Sequence, residues 1–240
     1  SNVTGYILPF DKIAHMAKEY EAVVFVDAAQ AAGNIKINLK ETDIDILIFA
    51  GHKSLYGLFG VGGFVTNSSI FERDKKLNPV IFGGNGENSL NLGLPETGIS
   101  KYEVGSLNVP AIGALKCGID SIETDFNEIR QYEDKMFRYM LEKIEKLDGI
   151  IIFQKPETEE EFENHIAVIS TAFEKCASDD AGTILDGEYN IAVRTGYHCA
   201  PLVHDVIGSK KYGGTIRISI GRYTTKEDID RLVYAFEDMR

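Results

Sequence analysis

Two polar sites follow apolar runs early in the chain. Asp27 closes "VVFVD", with Gln30 three residues on, and His52-Lys53 follows "LIFAG". A short continuous apolar run suits a strand buried on both faces, and open α/β sheets bind ligands outside the carboxyl ends of such strands. A buried acid at one strand end and a lysine at the next form a usable chemical pair. One role that needs both is pyridoxal phosphate chemistry. There the lysine amine forms an imine with the aldehyde, and the carboxylate keeps the pyridine nitrogen protonated so that the ring withdraws electrons. Spacing alone leaves a second reading open, an aspartate capping a helix and a lysine solvating a strand exit. Two phosphate motifs fail. "GHKS" lacks the upstream glycine of a P-loop, and the glycines of "GLFGVGG" precede a strand, whereas a dinucleotide fingerprint follows one.

Cys199 is the third residue that could do chemistry. It follows Arg194, Thr195, Gly196, Tyr197 and His198, a polar, glycine-bearing loop with two potential cations. Such surroundings expose a thiol and lower its pKa. The competing reading, a packing cysteine, is the one adopted for Cys117, which lies inside an apolar helical stretch. His198 is read as tuning the cysteine and His204 as structural. The three cysteines, Cys117, Cys176 and Cys199, are odd in number and form no C-x-x-C, so neither a disulfide framework nor a zinc site is expected. No metal is expected at the site.

These residues need elements to hold them. "FDKIAHMAKEYE" (10–21) has helical spacing, with His15 at its surface. Strands are expected at 22–29, 45–50 and 60–67. Residues 71–108 are glycine-rich and aperiodic, which predicts a long loop, functional or disordered. A helix resumes at 109–122 with Pro110 in its first turn, and a longer one covers about 126–147, with Met136, Phe137, Met140, Leu141 and Ile144 on its apolar stripe. The run Glu157 to Glu163 reads as a surface loop entering a helix. Then "IIIFQ", "HIAVISTAF", "YNIAVRTG" and "TIRISIGRY" read as strands, and Thr224 or Thr225 caps a final amphipathic helix. The expected architecture is α/β, with a mixed-sheet domain over 1–125 and a smaller α+β domain over 126–240 entered by the long helix. Three strands make a sheet too small to cover its own faces, so its completion by residues outside this chain, or by another chain, is expected.

Bulk properties bound the partners. A net charge of −12 argues against nucleic acid and anionic membrane, both of which need clustered lysine and arginine. The apolar stretches are strand-sized, so no membrane span is expected, and "SNVTG" does not begin a signal peptide. Unpaired cysteines suit a reducing cytoplasm.

With these motifs in view, the chain resembles the class V aminotransferase family, and within it the cysteine desulfurase and selenocysteine lyase branch. "SNVTG", "VDAAQAAG", "FAGHKSLYGLFGVGG", "YEVGSLNVP" and "VRTGYHCAPLVHDVIG…TIRISIGRYTTKEDIDRL" occur in the family's order and spacing across almost the whole chain. The resemblance implies the type I pyridoxal-phosphate fold, with a large mixed-sheet domain and a small C-terminal one. It implies that Lys53 is the Schiff-base lysine and proton shuttle and that Asp27 pairs with the pyridinium nitrogen. Gln30 and Asn2 would touch the ring hydroxyl, and His52 the phosphate. Ser106, where the family usually has threonine, would reach the phosphate of the partner subunit in a homodimer. Arg217 would bind the substrate α-carboxylate as a bidentate fork, supported by Arg194. The substrate would be cysteine or selenocysteine, released as alanine, and Cys199 would take sulfur from the cysteine adduct as a persulfide and pass it to an acceptor. The short loop after Cys199 resembles the group II branch. Without the family, Asn2, Gln30 and Ser106 are ordinary loop residues and the two arginines ordinary strand-end charges.

The chain departs from the family at Ala50, where a hydroxyl usually helps hold phosphate; its loss is worth about 1–3 kcal/mol. The family's phosphate loop and ring-stacking residue lie upstream of the segment matching Ser1. The chain is therefore expected to be a C-terminal fragment that binds cofactor weakly or not at all by itself. Two alternatives accompany the desulfurase reading. One is another class V transamination or lyase reaction; the other is a catalytically incomplete module that dimerises or docks a sulfur acceptor.

Overall fold

The computed structural model describes residues 1–67, 77–84, 86, 90, 93 and 98–240. Part of the long loop expected over 71–108 lies outside these. The described residues form two compact units, Pro9–Thr124 and Ser1–Leu8 with Asp125–Arg240.

In the first unit, helix α1 (Phe10–Lys18) precedes strands β1 (Phe25–Asp27), β2 (Ile46–Ala50) and β3 (Gly62–Thr66). β1 runs parallel to β2 and β3 antiparallel, a mixed sheet in the order β1-β2-β3. The parallel pairing sets Asp27 opposite Ile48, so the carboxyl ends of β1 and β2 share one edge of the sheet. Asp45, 2% exposed, fixes the start of β2: it accepts from Lys18 Nζ at 2.6 Å and from the Val24 amide at 2.8 Å. One sheet face carries Val26, Leu47 and Phe49 into a small core with Ala14, Ala28 and Ile44. On the other face Phe25, Ile48 and Phe64 stay partly exposed and line an apolar cavity of about 380 Å³ with Ile46 and Tyr102.

The expected strand over 22–29 is thus shorter, and it is not buried on both faces. Among the described residues β1 pairs only with β2, so Phe25 and Asp27 are exposed. Cys117 also departs from expectation. It lies on the exposed side of its helix and packs against no core.

Helix α2 (Val109–Ile144) breaks at Asp125 (φ −116°, ψ 16°), where the two units divide and where the sequence pattern separates two helices. In the second unit follow β4 (Ile150–Phe153), α3 (Glu159–Glu163), β5 (Val168–Phe173), α4 (Ser178–Tyr189), β6 (Arg194–Gly196), α5 (Pro201–Val206), β7 (Thr215–Ser219) and α6 (Lys226–Asp238). The strands form an antiparallel sheet, β4-β5-β7-β6. Met136, Phe137, Met140, Leu141 and Ile144 of α2 pack on Ile169, Ile216 and Ile218 of the sheet and on Ile229, Leu232 and Phe236 of α6. Each such side chain contributes about 1.5–3 kcal/mol by leaving water. Capping boxes at Thr158–Glu161 and Thr225–Asp228 start α3 and α6, satisfying amide groups that the first helical turn leaves free.

The first eight residues are woven into this second unit. The Ile166 amide donates to Gly5 and the Ile7 amide to Asn164, each at 2.9 Å. Gly5 sits at φ +78°, and a Cβ there would meet the His165 ring at 2.2 Å.

Candidate active site

Five of the expected site residues lie in the unit Pro9–Thr124. Asp27 ends β1, and its Oδ1 accepts the Ala29 amide at 2.9 Å, so the turn out of the strand fixes the carboxylate. The carboxylate is exposed, not buried as the sequence suggested, because β1 is the outer strand. Gln30 is half-buried in the same turn. Three residues beyond β2 comes Lys53, half-buried, whose amine makes no hydrogen bond or ion pair among the described residues. Asn34 ties the two segments together: its Nδ2 donates at 2.8 Å both to the Gln30 carbonyl and to Ser54 Oγ. His52 is exposed, its ring stacked on Phe59 with centroids 4.8 Å apart. Ser106 is exposed ahead of α2.

Asp27 and Lys53 therefore lie at neighbouring strand ends, joined by a direct bridge between their loops. The pair fits a cofactor bearing both a protonated ring nitrogen and an aldehyde. Asp27 keeps its Oδ2 without a partner among the described residues, and the Lys53 amine is uncommitted.

The other four residues lie in the second unit. Arg194 of β6 and Arg217 of β7 are register partners on adjacent antiparallel strands. Like charges set opposite each other repel, and no carboxylate pairs with either guanidinium among the described residues. Arg217 Nη1 donates to the Asn2 carbonyl at 3.1 Å, while its buried Nε has no partner there. Burial, reinforced by Arg194, pushes the Arg217 pKa down, and the negative charge of a Cys199 thiolate acts against that fall. Arg217 and Cys199 therefore share one electrostatic neighbourhood. Cys199 is exposed and follows His198, both in left-handed backbone at φ 59° and φ 50°. Asn2 Nδ2 donates to the His198 carbonyl at 2.7 Å.

His198 is not one of the two cations that the sequence offers beside Cys199. Its ring is 5% exposed, and burial, with Arg217, His204 and Arg194 nearby, pushes its pKa down to about 4. It is a neutral imidazole, so the cationic character around Cys199 comes from the arginines. His204 is fully buried and has a partner, Ser209 Oγ at 2.7 Å from its Nδ1. The sequence reading missed Ser170 and Thr215, both fully buried beneath the Cys199 turn. Their signal was a hydroxyl within each of two strands of the buried sheet, VISTAF and TIRIS, which must find a hydrogen-bond partner there.

The arrangement offers two groups of residues, one per unit. One presents a lysine amine and a carboxylate at strand ends; the other presents two guanidiniums and an exposed thiol. Among the described residues no cluster of histidine, cysteine and acids could hold a metal ion, and no helix is long and apolar enough to cross a membrane.

Comparison with known proteins gives the family and the fold. A family model described as Aminotransferase class-V matches residues 1–232. A probable cysteine desulfurase of Halalkalibacterium halodurans is 32% identical over 245 residues, covering 99% of this chain and 55% of that protein. A probable cysteine desulfurase of Aeropyrum pernix is 29% identical over 248 residues, covering 100% of this chain and 58% of the relative. The apo structure of the cysteine desulfurase from Thermococcus onnurineus NA1 superposes with a TM-score of 0.84 at 26% identity, over 100% of this chain and 57% of that one. The cysteine desulfurase CsdA (S-sulfonic acid) from Escherichia coli gives 0.80 at 26% identity, over 99% of this chain and 56% of the other. The chain thus spans little more than half the length of the relatives it matches. The α/β fold expected from sequence, part of the type I pyridoxal-phosphate architecture, is the fold found.

Proposed function

The chain belongs to the class-V aminotransferase family, and from that premise we propose that it carries the lysine and the thiol of a pyridoxal-phosphate cysteine desulfurase. Lys53 would hold the cofactor aldehyde and move the proton at the substrate α-carbon. Asp27 would keep the ring nitrogen protonated. Gln30 and Asn2 would serve the ring hydroxyl and His52 the phosphate. When bound, the cofactor would supply an electron sink for the bonds broken in the substrate. Arg217, supported by Arg194, grips the α-carboxylate of L-cysteine or selenocysteine. With L-cysteine, the Cys199 thiolate attacks the substrate sulfur; the S–S bond forms as the C–S bond breaks. The bonding pair stays with the carbon skeleton, which takes up a proton and leaves as alanine, and the persulfide passes to an acceptor. In this reading Pro9–Thr124 is part of the cofactor-binding domain and Asp125–Arg240 the small domain. The enzyme is a homodimer in which Ser106 serves the partner subunit's phosphate. Three free cysteines favour a reducing cytoplasm.

The observation that carries the reading is the grouping of Arg194, Arg217 and Cys199. Two guanidiniums without a carboxylate partner stand ready for a substrate carboxylate beside an exposed thiol. The test has two parts. Borohydride reduction of the chain with pyridoxal phosphate traps even transient attachment, and peptide mass analysis locates it. Selective labelling of Lys53 is expected; labelling spread evenly over surface lysines refutes the cofactor assignment. In the complete enzyme, Cys199→Ser should abolish sulfur transfer from cysteine, whereas a transaminase of this family is indifferent to it.

A further inference from the structure

We propose that His198 is a positioning residue: as the Nε2–H tautomer it anchors the turn carrying Cys199, through Thr215 and Ser170, to the Asn2–Val3 segment that also holds Arg217. The proposal rests on the desulfurase reading for its purpose, since that reading needs thiol and guanidinium in register. Its evidence is independent of that reading.

The tautomer follows from counting protons. Ser170 Oγ lies 2.6 Å from the Val3 carbonyl, which can only accept, so the single Ser170 proton goes there. Thr215 Oγ1, 3.1 Å from Ser170 Oγ, must then donate to it. With that proton committed, Thr215 can only accept from the imidazole, and His198 Nε2, 2.8 Å away, must carry the hydrogen. The chain of donors runs one way: His198, Thr215, Ser170, Val3. Each link polarises the next, and all three side chains are sealed from water.

The path then closes on itself. Val3 is bonded to Asn2, whose side chain donates to the His198 carbonyl, and whose own carbonyl accepts from Arg217 Nη1. The Cys199 turn and the Arg217 fork therefore hang from two consecutive peptide units. That turn needs holding, because His198 and Cys199 both adopt left-handed backbone that side-chain-bearing residues disfavour. The groups acting on the ring are Arg217, His204 and Arg194, which oppose its protonation, and Thr215, which favours it. No carboxylate is among them, so the ring stays neutral and the donor direction stays fixed.

The test uses the full chain without cofactor, so its outcome does not depend on the desulfurase reading. Imidazole nitrogen NMR is expected to show His198 as one Nε2–H tautomer that does not titrate between about pH 5 and about pH 8. Ser170→Ala frees the Thr215 proton to point at the ring, and a shift toward the Nδ1–H tautomer is expected. Thr215→Val removes the acceptor. It should change the iodoacetamide alkylation rate of Cys199 several-fold while leaving that of exposed Cys117 unchanged, and Thr215→Ser should restore the rate. An Nδ1–H or mixed tautomer in the parent chain overturns the proposal. So does an unaltered tautomer in Ser170→Ala, or an unchanged Cys199 rate in Thr215→Val. If Thr215→Val does not fold, the Ser170→Ala tautomer decides.

Discussion

Arg194 and Arg217 stand directly opposite each other on β6 and β7, two cations in register with no acid paired to either among the described residues. A protein that keeps such a pair bears a cost in repulsion. Arg194 is exposed, whereas Arg217 is half-buried and bonded to Asn2. The two substitutions should therefore differ in sign. Arg194→Gln is expected to leave stability unchanged or raise it by up to about 1 kcal/mol. Arg217→Gln is expected to lower stability by about 1–3 kcal/mol, as the Asn2 carbonyl loses a charged donor. Urea unfolding of the two variants measures both. In the complete enzyme each should weaken substrate binding.

Glu133 supplies a pH dependence. It is 5% exposed on α2, and burial pushes its pKa up from 4.5 to about 7, outweighing Arg130, Arg222 and a bond from the Arg222 backbone. The unfolded chain ionises it at its ordinary value, and the folded chain keeps the proton until about 7. Its contribution is thus complete below 4.5 and is lost as pH rises to about 7, by about 3 kcal/mol in all. Glu133→Gln keeps the neutral shape. Urea midpoints should place the variant well above the parent chain at pH near 8 and level with it near pH 4.5. An equal effect at both ends contradicts the assignment.

Gly5 is the hinge pin of the N-terminal segment. Its left-handed backbone and the 2.2 Å approach of the His165 ring leave no room for a methyl group. Gly5→Ala is expected to cost more than about 2 kcal/mol, with a lowered unfolding midpoint as the readout. Exchange protection of the Ile166 amide, which bonds Gly5, should fall more than that of β7 amides.

Much of this arrangement is legible in the sequence, and the parts that are not have a common cause. The division of α2 at Asp125 shows as a gap in the apolar stripe, and the Thr225 cap shows as a threonine ahead of acids and an amphipathic run. Those signals are local. The edge position of β1 is not local: "VVFVD" reads as buried, yet its exposure depends on which strands lie beside it. Glu133 looks like any polar residue between helical apolar positions until its neighbours are known. The same holds for His198, whose apparent cation is cancelled by burial and by two arginines. The hydroxyl relay spans residues 45 and 167 positions apart, beyond any periodicity.

Thr225 tests the helix cap. Its hydroxyl accepts the Asp228 amide at 3.2 Å, and Asp228 accepts the Thr225 amide at 2.9 Å. Thr225→Ala should cost about 1 kcal/mol and Thr225→Gly only a few tenths. Because α6 buries Ile229, Leu232 and Phe236 in the main core, this loss should appear as a shift of the global unfolding midpoint.

Asn34 tests whether the two strand-end loops act as one platform. Its amide is the direct side-chain link between the Gln30 turn and Ser54, one residue past Lys53. Gly33 beside it, at φ +87°, lets the backbones approach so closely that a Cβ would meet the Ser54 carbonyl at 2.4 Å. Asn34→Ala removes two hydrogen bonds and should cost about 1–2 kcal/mol. If Lys53 depends on that link for its orientation, borohydride trapping of pyridoxal phosphate should lose its preference for Lys53 in this variant, while total lysine labelling holds. Asn34→Asp keeps the size but offers no donors, and it should behave like alanine. Retained selectivity for Lys53 in both variants would mean that the strand ends alone orient the lysine, with the bridge serving stability only.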